Sequence, residues 1–360
     1  MFSSDLGRCT GILVDSASSI TRARVFRYCL PLRYPLPLKS TRLRERTGLV
    51  IELMDKKGQV SYGEAAPLPD FSLESFGDTQ KNLIKACHFI LASGSYHPDR
   101  VSEGDLPSVA FAIESALYGL SIRCWQKAPA VAPLLLGNTS EIRQRLSGWV
   151  GEWPEEFKVK VARGTLSEDI DRVSQVLRQL PETVSLRIDG NQRWGMAEAV
   201  EFVRGLEKRQ GSGVSGRIAY IEEPLGNPRE LPFFYQKTGM AYALDESLQC
   251  GVLPDLHSFP GLRALVIKPT LVGGLGKCEA LIEAARGVKA RTIFSSAFES
   301  ALGVHWLQQL SAFWLPGECP GLDTLSAFSA QLIDRMPEPG QSLPAETLNQ
   351  MELVWQQSRQ

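Results

Sequence analysis

Three segments near the start of the chain are rich in hydrophobic residues with polar residues between them, and they are predicted to be strands. The segments are Ala23–Leu30, Leu49–Met54 and Gln59–Tyr62. Asp55-Lys56-Lys57-Gly58 joins the last two and is a favourable turn sequence, so the pattern predicts an antiparallel sheet. Two helical segments follow, Glu74–Leu91 and Pro107–Leu120, and the second begins with a proline suited to a first helical turn.

From about residue 148 the pattern changes to short apolar strands that alternate with amphipathic helices. The predicted strands are Gly148–Val150, Phe157–Val161, Ser185–Ile188, Ile218–Ile221, Tyr242–Leu244, Ala264–Ile267 and Arg291–Phe294. Thr165-Leu166-Ser167-Glu168 is a capping-box pattern that opens one of the helices. Repeated strand–helix units are typical of a parallel sheet, and the absence of a dinucleotide-binding glycine motif favours a closed barrel over an open sheet.

The sequence therefore predicts an α/β fold: a modified (β/α)8-type barrel, (β/α)7β, with an N-terminal α+β capping domain. We expect residues 1–20 to form an extension without a clear assignment and residues 21–135 to form the capping domain with its lid loops. Residues 136–330 are predicted to form the barrel. Residues 331–360 are predicted to pack back on the capping domain.

Composition excludes several classes of protein. The chain has 360 residues and a formal net charge of −1, whereas nucleic acids and anionic membranes select a basic excess. No window reaches the roughly 18 apolar residues of a spanning helix, and the start lacks the features of an export signal. We therefore expect a cytoplasmic protein with a small-molecule partner. The cysteines and histidines form no CxxC or HExxH motif, and the oligomeric state is not indicated.

Five charged residues stand where predicted barrel strands end, each about one strand–helix unit from the next. They are Lys160, Asp189, Glu222, Asp245 and Lys268. Side chains alternate along a strand, and the apolar residues of these strands occupy the other face. Catalytic groups of barrels collect at the carboxyl ends of the strands. We therefore expect the five side chains to converge in the barrel mouth.

The three carboxylates of this set need a counter-charge. Like charges in a poorly solvated cleft raise one another's pKa, so Asp189, Glu222 and Asp245 cannot lie together unneutralised. A divalent cation resolves the repulsion. Oxygen ligands without Cys or His point to Mg²⁺, which keeps open positions for substrate.

Three neighbouring polar residues are candidates for substrate contact or for supporting the cation ligands: Lys158, Asn191 and Glu246. Each residue also has an ordinary structural interpretation. A carboxylate after a strand is usually a helix cap or a solvated loop residue. Lys158-Val-Lys160 is most often an exposed edge strand, and Asn191 is a common turn former. Five charged residues at the ends of successive strands are harder to explain as ordinary solvent-exposed residues.

The charged residues stand in motifs that resemble the barrel signature of the enolase superfamily, in its muconate-lactonizing-enzyme-like subgroup. The motifs are Lys158-Val-Lys160, Asp189-Gly-Asn191, Tyr220-Ile-Glu222-Glu223-Pro224, Leu244-Asp245-Glu246-Ser247 and Val266-Ile-Lys268-Pro269-Thr270. Within the subgroup, Gly63–Ser72 is similar to the first-domain loop of the dehydratases of menaquinone biosynthesis, and Arg42–Leu49 is similar to their mobile lid. Ser295–Ser300 and Pro320–Thr324 also resemble these enzymes.

The resemblance implies a lyase that removes water from 2-succinyl-6-hydroxy-2,4-cyclohexadiene-1-carboxylate and forms 2-succinylbenzoate. Lys160 would take the proton next to the carboxylate and later protonate the departing hydroxide. Mg²⁺ on the three carboxylates would stabilise the enediolate, with Lys268 on the opposite face. Crowding by Lys158, Lys268 and the metal predicts a depressed pKa for Lys160.

The resemblance also implies contacts with the rest of the substrate. The lid around Arg42–Arg46, with Arg44 as a candidate contact, would close over the substrate and exclude water. The alternative is that these arginines are merely solvated. Ser295 and Ser296 would offer hydroxyl or backbone donors to the succinyl carboxylate.

Two other functions stay open at this point. An N-acylamino acid racemase or a dipeptide epimerase of the same superfamily would use two opposed lysines for a 1,1-proton transfer, so the barrel motifs do not exclude it. A barrel that binds a ligand without catalysis is the alternative of another class. The intact set of lysines and carboxylates weighs against that alternative.

Overall fold

The chain folds into two sheets with helices packed around them. The computed structural model describes residues 15–17, 19–94, 96, 106–249 and 254–359. Most of the predicted extension at residues 1–20 therefore lies outside the described residues. No helix within the described ranges is both long and apolar enough to span a membrane.

The first sheet is antiparallel and has four strands. They are β1 (Ile20–Pro37), β2 (Arg42–Asp55), β3 (Val60–Ala65) and β11 (Glu352–Ser358). The order is β11-β1-β2-β3, so the last strand of the chain pairs with the first. The predicted turn after β2 is present, because Asp55 Oδ1 accepts from the backbone N–H groups of Lys57 and Gln59 at 2.8 and 2.9 Å. Gly58 has φ +79°, which glycine adopts without strain.

The second sheet is parallel and has seven strands, which lie side by side in chain order. They are β4 (Leu134–Leu135), β5 (Glu156–Lys160), β6 (Ser185–Asp189), β7 (Ile218–Glu222), β8 (Tyr242–Leu244), β9 (Leu262–Ile267) and β10 (Arg291–Phe294). The predicted strand at Gly148–Val150 is wrong. Trp149 stacks on Trp153 in a loop before β5, and Val150 is 92% exposed, so this apolar run lies on the surface.

A short segment around residue 320 joins the two edges of this sheet. Gly321 N donates to Phe294 O at 2.8 Å, and Ser296 N donates to Gly321 O at 3.1 Å. On the other side, Ala132 N donates to Pro320 O at 3.0 Å. Seven strands and this single-bridge eighth strand form the (β/α)7β barrel, which confirms the predicted fold class.

Helices pack around both sheets. The α-helices are α1 (Phe76–Ser93), α2 (Pro107–Gly119), α3 (Thr139–Ser147), α4 (Leu166–Gln179), α5 (Met196–Gln210), α6 (Leu231–Thr238), α7 (Pro269–Val272), α8 (Gly274–Gly287), α9 (Ala301–Trp314) and α10 (Ala345–Asn349). The predicted capping box opens α4: Thr165 Oγ1 accepts from Glu168 N, and Glu168 Oε2 accepts from Thr165 N. Helix α2 is almost wholly buried between the antiparallel sheet and helices α7 and α8. The antiparallel sheet is thereby fixed against the barrel.

Candidate active site

The structure brings the predicted charged residues together at one end of the barrel. Lys160, Asp189 and Glu222 are the last residues of β5, β6 and β7, and they are direct neighbours in the strand register. Asp245 follows β8 and Lys268 follows β9. The three carboxylates are each 1% exposed. Parallel strands in register thus place five charges around one barrel mouth.

Two lysines of strand β5 neutralise the carboxylate of Asp189. Lys158 Nζ lies 2.9 Å from Asp189 Oδ2 and donates to both Oε atoms of Glu222 at 2.8 Å. Lys160 Nζ donates to Asp189 Oδ2 at 2.7 Å and to Asn191 Oδ1 at 2.9 Å. Burial raises the pKa of Asp189, but the two ammonium groups outweigh it and hold that pKa well below its usual value.

The pKa values of the two lysines shift in opposite directions. Burial lowers the pKa of Lys158, but Asp189 and Glu222 outweigh it and raise that pKa well above its usual value. Burial also lowers the pKa of Lys160. Asp189 opposes this shift, but Lys158 and Lys268 add to it, and the net pKa is lowered. The direction for Lys160 is the one predicted, with burial as the largest cause, and it favours the neutral amine that accepts a proton.

Carboxylate oxygens without a partner stand beside Lys268. Asp245 Oδ2 is paired with Lys268 Nζ, but Asp245 Oδ1 and Glu246 Oε2 are buried and have no hydrogen-bond partner. Burial raises the pKa of Asp245 well above its usual value; Lys268 opposes this, and the negative charges of Glu246 and Glu222 add to it. A buried polar atom without a partner costs free energy. A cation at this point would relieve both the unpaired oxygens and the repulsion.

The donor set suits a hard divalent cation by its chemistry. Asp189, Glu222 and Asp245 offer only oxygen ligands, which Mg²⁺ prefers. Among the described residues, however, no three His, Cys, Asp or Glu side chains stand ready to hold an ion. The ammonium group of Lys158 lies between Asp189 and Glu222 instead. The carboxylates are therefore close neighbours whose present partners are lysines.

Glu223 is turned away from the lysines and fixes the backbone after β8. Its carboxylate accepts from Asp245 N at 2.9 Å, from Ser247 N at 2.8 Å and from Ser247 Oγ at 2.9 Å. Burial raises the pKa of Glu223 to about 7, and the nearby Glu246 adds to the shift. Asn191 Nδ2 donates to Glu246 Oε1 at 3.0 Å. These contacts hold Asp245 and Glu246 in place.

A cavity of about 460 Å³, its open mouth included, is lined by the lysines of the barrel mouth but not by Asp189, Glu222 or Asp245. Its wall includes Lys158, Lys160, Lys268, Ser295, Ser296 and Phe298. Ser295 Oγ donates to Gly321 O at 3.1 Å, and Ser296 Oγ donates to Glu299 Oε2 at 2.6 Å. Both hydroxyl protons are thus directed at protein acceptors, and donation from these serines to a substrate carboxylate stays a prediction.

The predicted lid segment is the beginning of strand β2 and not a free loop. Arg44 on this strand is exposed and does not line the cavity, so its contact with substrate stays a prediction. Arg46 requires a correction. It is 1% exposed and donates to four backbone carbonyls, two in the loop after β3 and two in the loop after β10. Its guanidinium is therefore not solvated, and it joins the two loops; movement of the segment as a lid stays a prediction.

The turn between β1 and β2 is fastened to the loop after β3. Asp70 Oδ2 accepts from Ser40 N at 2.7 Å and from Thr41 N at 3.2 Å, and Asp70 Oδ1 accepts from Ser40 Oγ at 2.5 Å. Lys39 Nζ lies 4.5 Å from the ring centre of Phe71. An apolar cluster joins this region to the barrel: Leu38, Leu43, Leu68, Phe71, Leu271 and Ala297. We call the contacts of Asp70 the turn latch.

Sequence reasoning missed the roles of three charged residues with almost no exposure, Arg46, Glu64 and Glu299. A charge within an otherwise buried segment is the signal that would have marked each of them. Their partners carry no such signal. The backbone groups that Arg46 and Glu64 contact lie up to 252 residues away along the chain.

Two family models match the chain. The one described as "MenC, N-terminal domain" matches residues 20–120, and the one described as "Enolase C-terminal domain-like" matches residues 141–339. The first range holds the antiparallel sheet except for its last strand, and the second holds β5 to β10 with all five charges of the barrel mouth.

Curated relatives match over nearly the whole length. An o-succinylbenzoate synthase of Yersinia pseudotuberculosis is 36% identical over 92% of this chain and 98% of its own. The one of Pectobacterium atrosepticum is 33% identical over 92% and 98%. The solved o-succinylbenzoate synthase of Thermosynechococcus elongatus BP-1, complexed with Mg in its active site, is 27% identical, with a TM-score of 0.68 over 86% of this chain and 95% of that one. The chain is thus an enzyme that belongs to the o-succinylbenzoate synthase family of the enolase superfamily.

Proposed function

We propose that this enzyme removes water from 2-succinyl-6-hydroxy-2,4-cyclohexadiene-1-carboxylate and forms 2-succinylbenzoate in menaquinone biosynthesis. One observation carries the proposal. Lys160 at the end of β5 and Lys268 directly after β9 line one cavity, and a buried carboxylate stands at the end of each of the three strands between them. The names of the relatives support the reaction.

Three carboxylates would hold Mg²⁺, namely Asp189, Glu222 and Asp245. The unpaired Asp245 Oδ1 supports this assignment. When bound, the cation supplies positive charge that offsets the negative charge developing on the substrate carboxylate as the neighbouring proton leaves. Glu223 would keep Asp245 in position through its contact with the backbone N–H.

Lys160 would act as the base. As a neutral amine it takes the proton from the carbon next to the carboxylate, and the resulting ammonium then protonates the departing hydroxyl group, which leaves as water. One residue does both steps from one face, so the elimination is syn. The lowered pKa of Lys160 supports a supply of neutral amine. Asn191 would orient Lys160 through their 2.9 Å hydrogen bond.

Lys268 would stabilise the developing negative charge from the opposite side of the ring. Its strand is separated from that of Lys160 by β6, β7 and β8. Its ammonium group also pairs with Asp245. A fixed positive charge in a poorly solvated site stabilises an anionic transition state without reorganisation.

Direct assay tests the proposal. Purified protein with Mg²⁺ and the cyclohexadiene carboxylate should produce the ultraviolet absorbance of the aromatic product, and EDTA should abolish it. Excess Mg²⁺ should restore the rate after EDTA treatment. Absence of turnover in folded, Mg²⁺-loaded protein would contradict the proposal.

The racemase or epimerase alternative gives a different result in the same preparation. The two opposed lysines would exchange the α-proton of an N-succinylamino acid or a dipeptide with solvent deuterium in both enantiomers. Exchange without dehydration of the cyclohexadiene would favour that alternative. A barrel without catalysis would show neither reaction and would bind a carboxylate ligand unchanged.

A further inference from the structure

The antiparallel sheet holds one part of the cavity wall, the loop at residues 295–300 after strand β10. In this wall loop, Ser295, Ser296 and Phe298 line the cavity. Phe298 has φ +61°, a left-handed conformation that is unfavourable for a bulky residue. A backbone of this kind persists only where its surroundings fix it. The contacts that fix it therefore set the shape of the cavity.

Bonds within the wall loop supply part of the restraint. Glu299 Oε2 accepts from Ser296 Oγ at 2.6 Å and from Ala297 N at 2.7 Å. Phe298 N donates to Ser296 Oγ at 3.0 Å. These bonds define the local turn, but they do not fix its position relative to the rest of the cavity.

Arg46 of strand β2 ties the wall loop to the loop after β3. Its Nε donates to Phe298 O at 3.1 Å and its Nη2 to Ala297 O at 3.3 Å. On the other side, Nη1 donates to Pro67 O at 2.7 Å and Nη2 to Ala66 O at 2.7 Å. A planar guanidinium with five N–H donors can join four carbonyls in this way, whereas an ammonium group cannot reproduce the fork.

Glu64 of strand β3 holds the other end of the wall loop. Its Oε1 accepts from Ser300 N at 2.8 Å and from Tyr28 Oη at 2.5 Å, and its Oε2 accepts from Gly303 N at 2.7 Å. A Cβ at position 303 would lie 2.9 Å from Glu64 Oε2, so glycine permits this close approach. The carboxylate thus binds the free N–H groups at the start of helix α9.

We propose that Arg46 and Glu64 are positioning residues for substrate recognition, which act by holding the wall loop at the distance that the non-reacting part of the substrate requires. The guanidinium binds the carbonyls of Ala297 and Phe298 in the middle of the loop, and the carboxylate binds the amide of its last residue, Ser300, so the two charges fix two points of one segment. This inference rests on the proposed function, and it assigns substrate affinity to two residues that do not line the cavity.

The wall loop should affect substrate affinity independently of cation binding and of the proton transfer at the barrel mouth. The proposed cation ligands stand at the carboxyl ends of β6, β7 and β8, whereas the wall loop follows β10. A displaced wall loop should therefore weaken substrate binding and leave cation affinity and the chemical step nearly unchanged. A purely structural role for Arg46 and Glu64, as links between the two sheets, would change stability alone.

The experiment compares Arg46→Lys and Glu64→Gln with a matched control, Trp306→Phe. Trp306 Nε1 donates to Tyr62 O at 2.8 Å, so the control removes another buried hydrogen bond between helix α9 and the antiparallel sheet, away from the wall loop. For each variant we would measure kcat and KM for the cyclohexadiene carboxylate and the thermal midpoint. Calorimetric titrations would give the Kd values for Mg²⁺ and for 2-succinylbenzoate.

We expect KM and the Kd of 2-succinylbenzoate to rise about tenfold in both test variants, since each loses charge-assisted hydrogen bonds that hold the loop. The value of kcat and the Kd of Mg²⁺ should stay within about threefold of wild type. The double variant should weaken binding by less than the product of the single effects, because both residues hold one segment. Trp306→Phe should lower only the thermal midpoint.

Three outcomes would overturn the inference: unchanged KM and product affinity in both test variants, an equal loss of affinity in Trp306→Phe, or a loss confined to kcat. Product titration does not depend on turnover. Wild-type protein that binds 2-succinylbenzoate without turning over the cyclohexadiene would therefore overturn the proposed function and leave the role of the wall loop measurable.

Discussion

The two ends of the barrel both bury charged side chains, but they satisfy them differently. At the amino end, Glu156 pairs with Arg187 and with Arg291, whose Nη2 lies 2.6 Å from Glu318 Oε2. Burial raises the pKa of Glu156, but the two guanidinium groups outweigh it and hold that pKa below its usual value. At the carboxyl end, the pKa of Asp245 is raised and one of its oxygens has no partner.

The difference shows which buried charges serve the fold and which serve a ligand. Charges that find all their partners within the chain stabilise one arrangement, as at the amino end. Unpaired oxygens and crowded like charges are a cost to the free protein that a bound cation and an anionic substrate would relieve. Strands β5 and β6 contribute to both groups, so the two sets can be perturbed separately within the same elements.

The largest effect on activity is expected for Lys160→Ala. Loss of the proposed base should lower kcat by about 10³-fold or more, the usual contribution of general base catalysis. The thermal midpoint should change little, because Lys158 still pairs with Asp189 at 2.9 Å and the side chain of Lys160 lines the cavity instead of filling the core. Lys57→Ala, on the turn between β2 and β3, is the control and should keep full activity. Near wild-type turnover of Lys160→Ala would exclude this residue as the base.

Asp245→Asn should weaken Mg²⁺ binding by about tenfold or more, because an anionic oxygen ligand is replaced by a neutral amide. Calorimetric titration of the variant with Mg²⁺ gives the change directly. Asp255→Asn removes the same charge from an exposed loop and should leave the affinity unchanged. Equal affinities for wild type and Asp245→Asn would place the cation elsewhere.

Glu156→Gln tests the ion pairs at the amino end of the barrel. It leaves Arg187 and Arg291 without their shared carboxylate, so the free energy of unfolding in urea should fall by about 3 kcal/mol at pH 7. Mg²⁺ affinity should not change. The pKa of Glu156 is lower in the folded protein, so its stabilisation is complete above the usual value of 4.5 and is lost as pH falls below it. The free energies of unfolding of wild type and variant should therefore become more similar as the pH falls below 4.5. A difference in unfolding free energy that does not change with pH would contradict the ion-pair account.

The smallest effect is expected for Asp70→Ala, which removes the turn latch. The turn between β1 and β2 should then be held less firmly against the loop after β3, which packs on Ala297 in the apolar cluster, and KM should rise by about threefold with little change in kcat. Steady-state kinetics measures both. Asp334→Ala, exposed in the C-terminal segment, is the control. Unchanged KM in Asp70→Ala would show that the latch does not contribute to substrate binding.

The sequence predicted the barrel strands in segments where apolar and polar residues clearly alternate. Phe157 and Val159 face away from Lys158 and Lys160, and this period of two placed the end of β5 within one residue. Strand β4 has only two residues in a proline-containing stretch, so no period could identify it. The apolar residues at 148–150 misled the prediction because they pack in a surface loop.

The same limit applies to the site. Adjacent parallel strands end at the same edge of a sheet, so the residues at their carboxyl ends lie next to one another. For this reason Lys160, Asp189 and Glu222 could be placed together from their spacing alone. The resemblance places Arg46 in a lid segment, and the alternative interpretation expects its side chain to be solvated. Its burial depends on carbonyls of a loop that follows β10, and no local pattern encodes that distance.

A crystal structure of the protein with Mg²⁺ and 2-succinylbenzoate tests the central claim most directly. We expect one ion bound by Asp189, Glu222 and Asp245 and by the carboxylate on the ring. The Nζ atoms of Lys160 and Lys268 should lie on opposite faces of that ring. An ion bound by other residues, or both amines on the same face, would contradict the account.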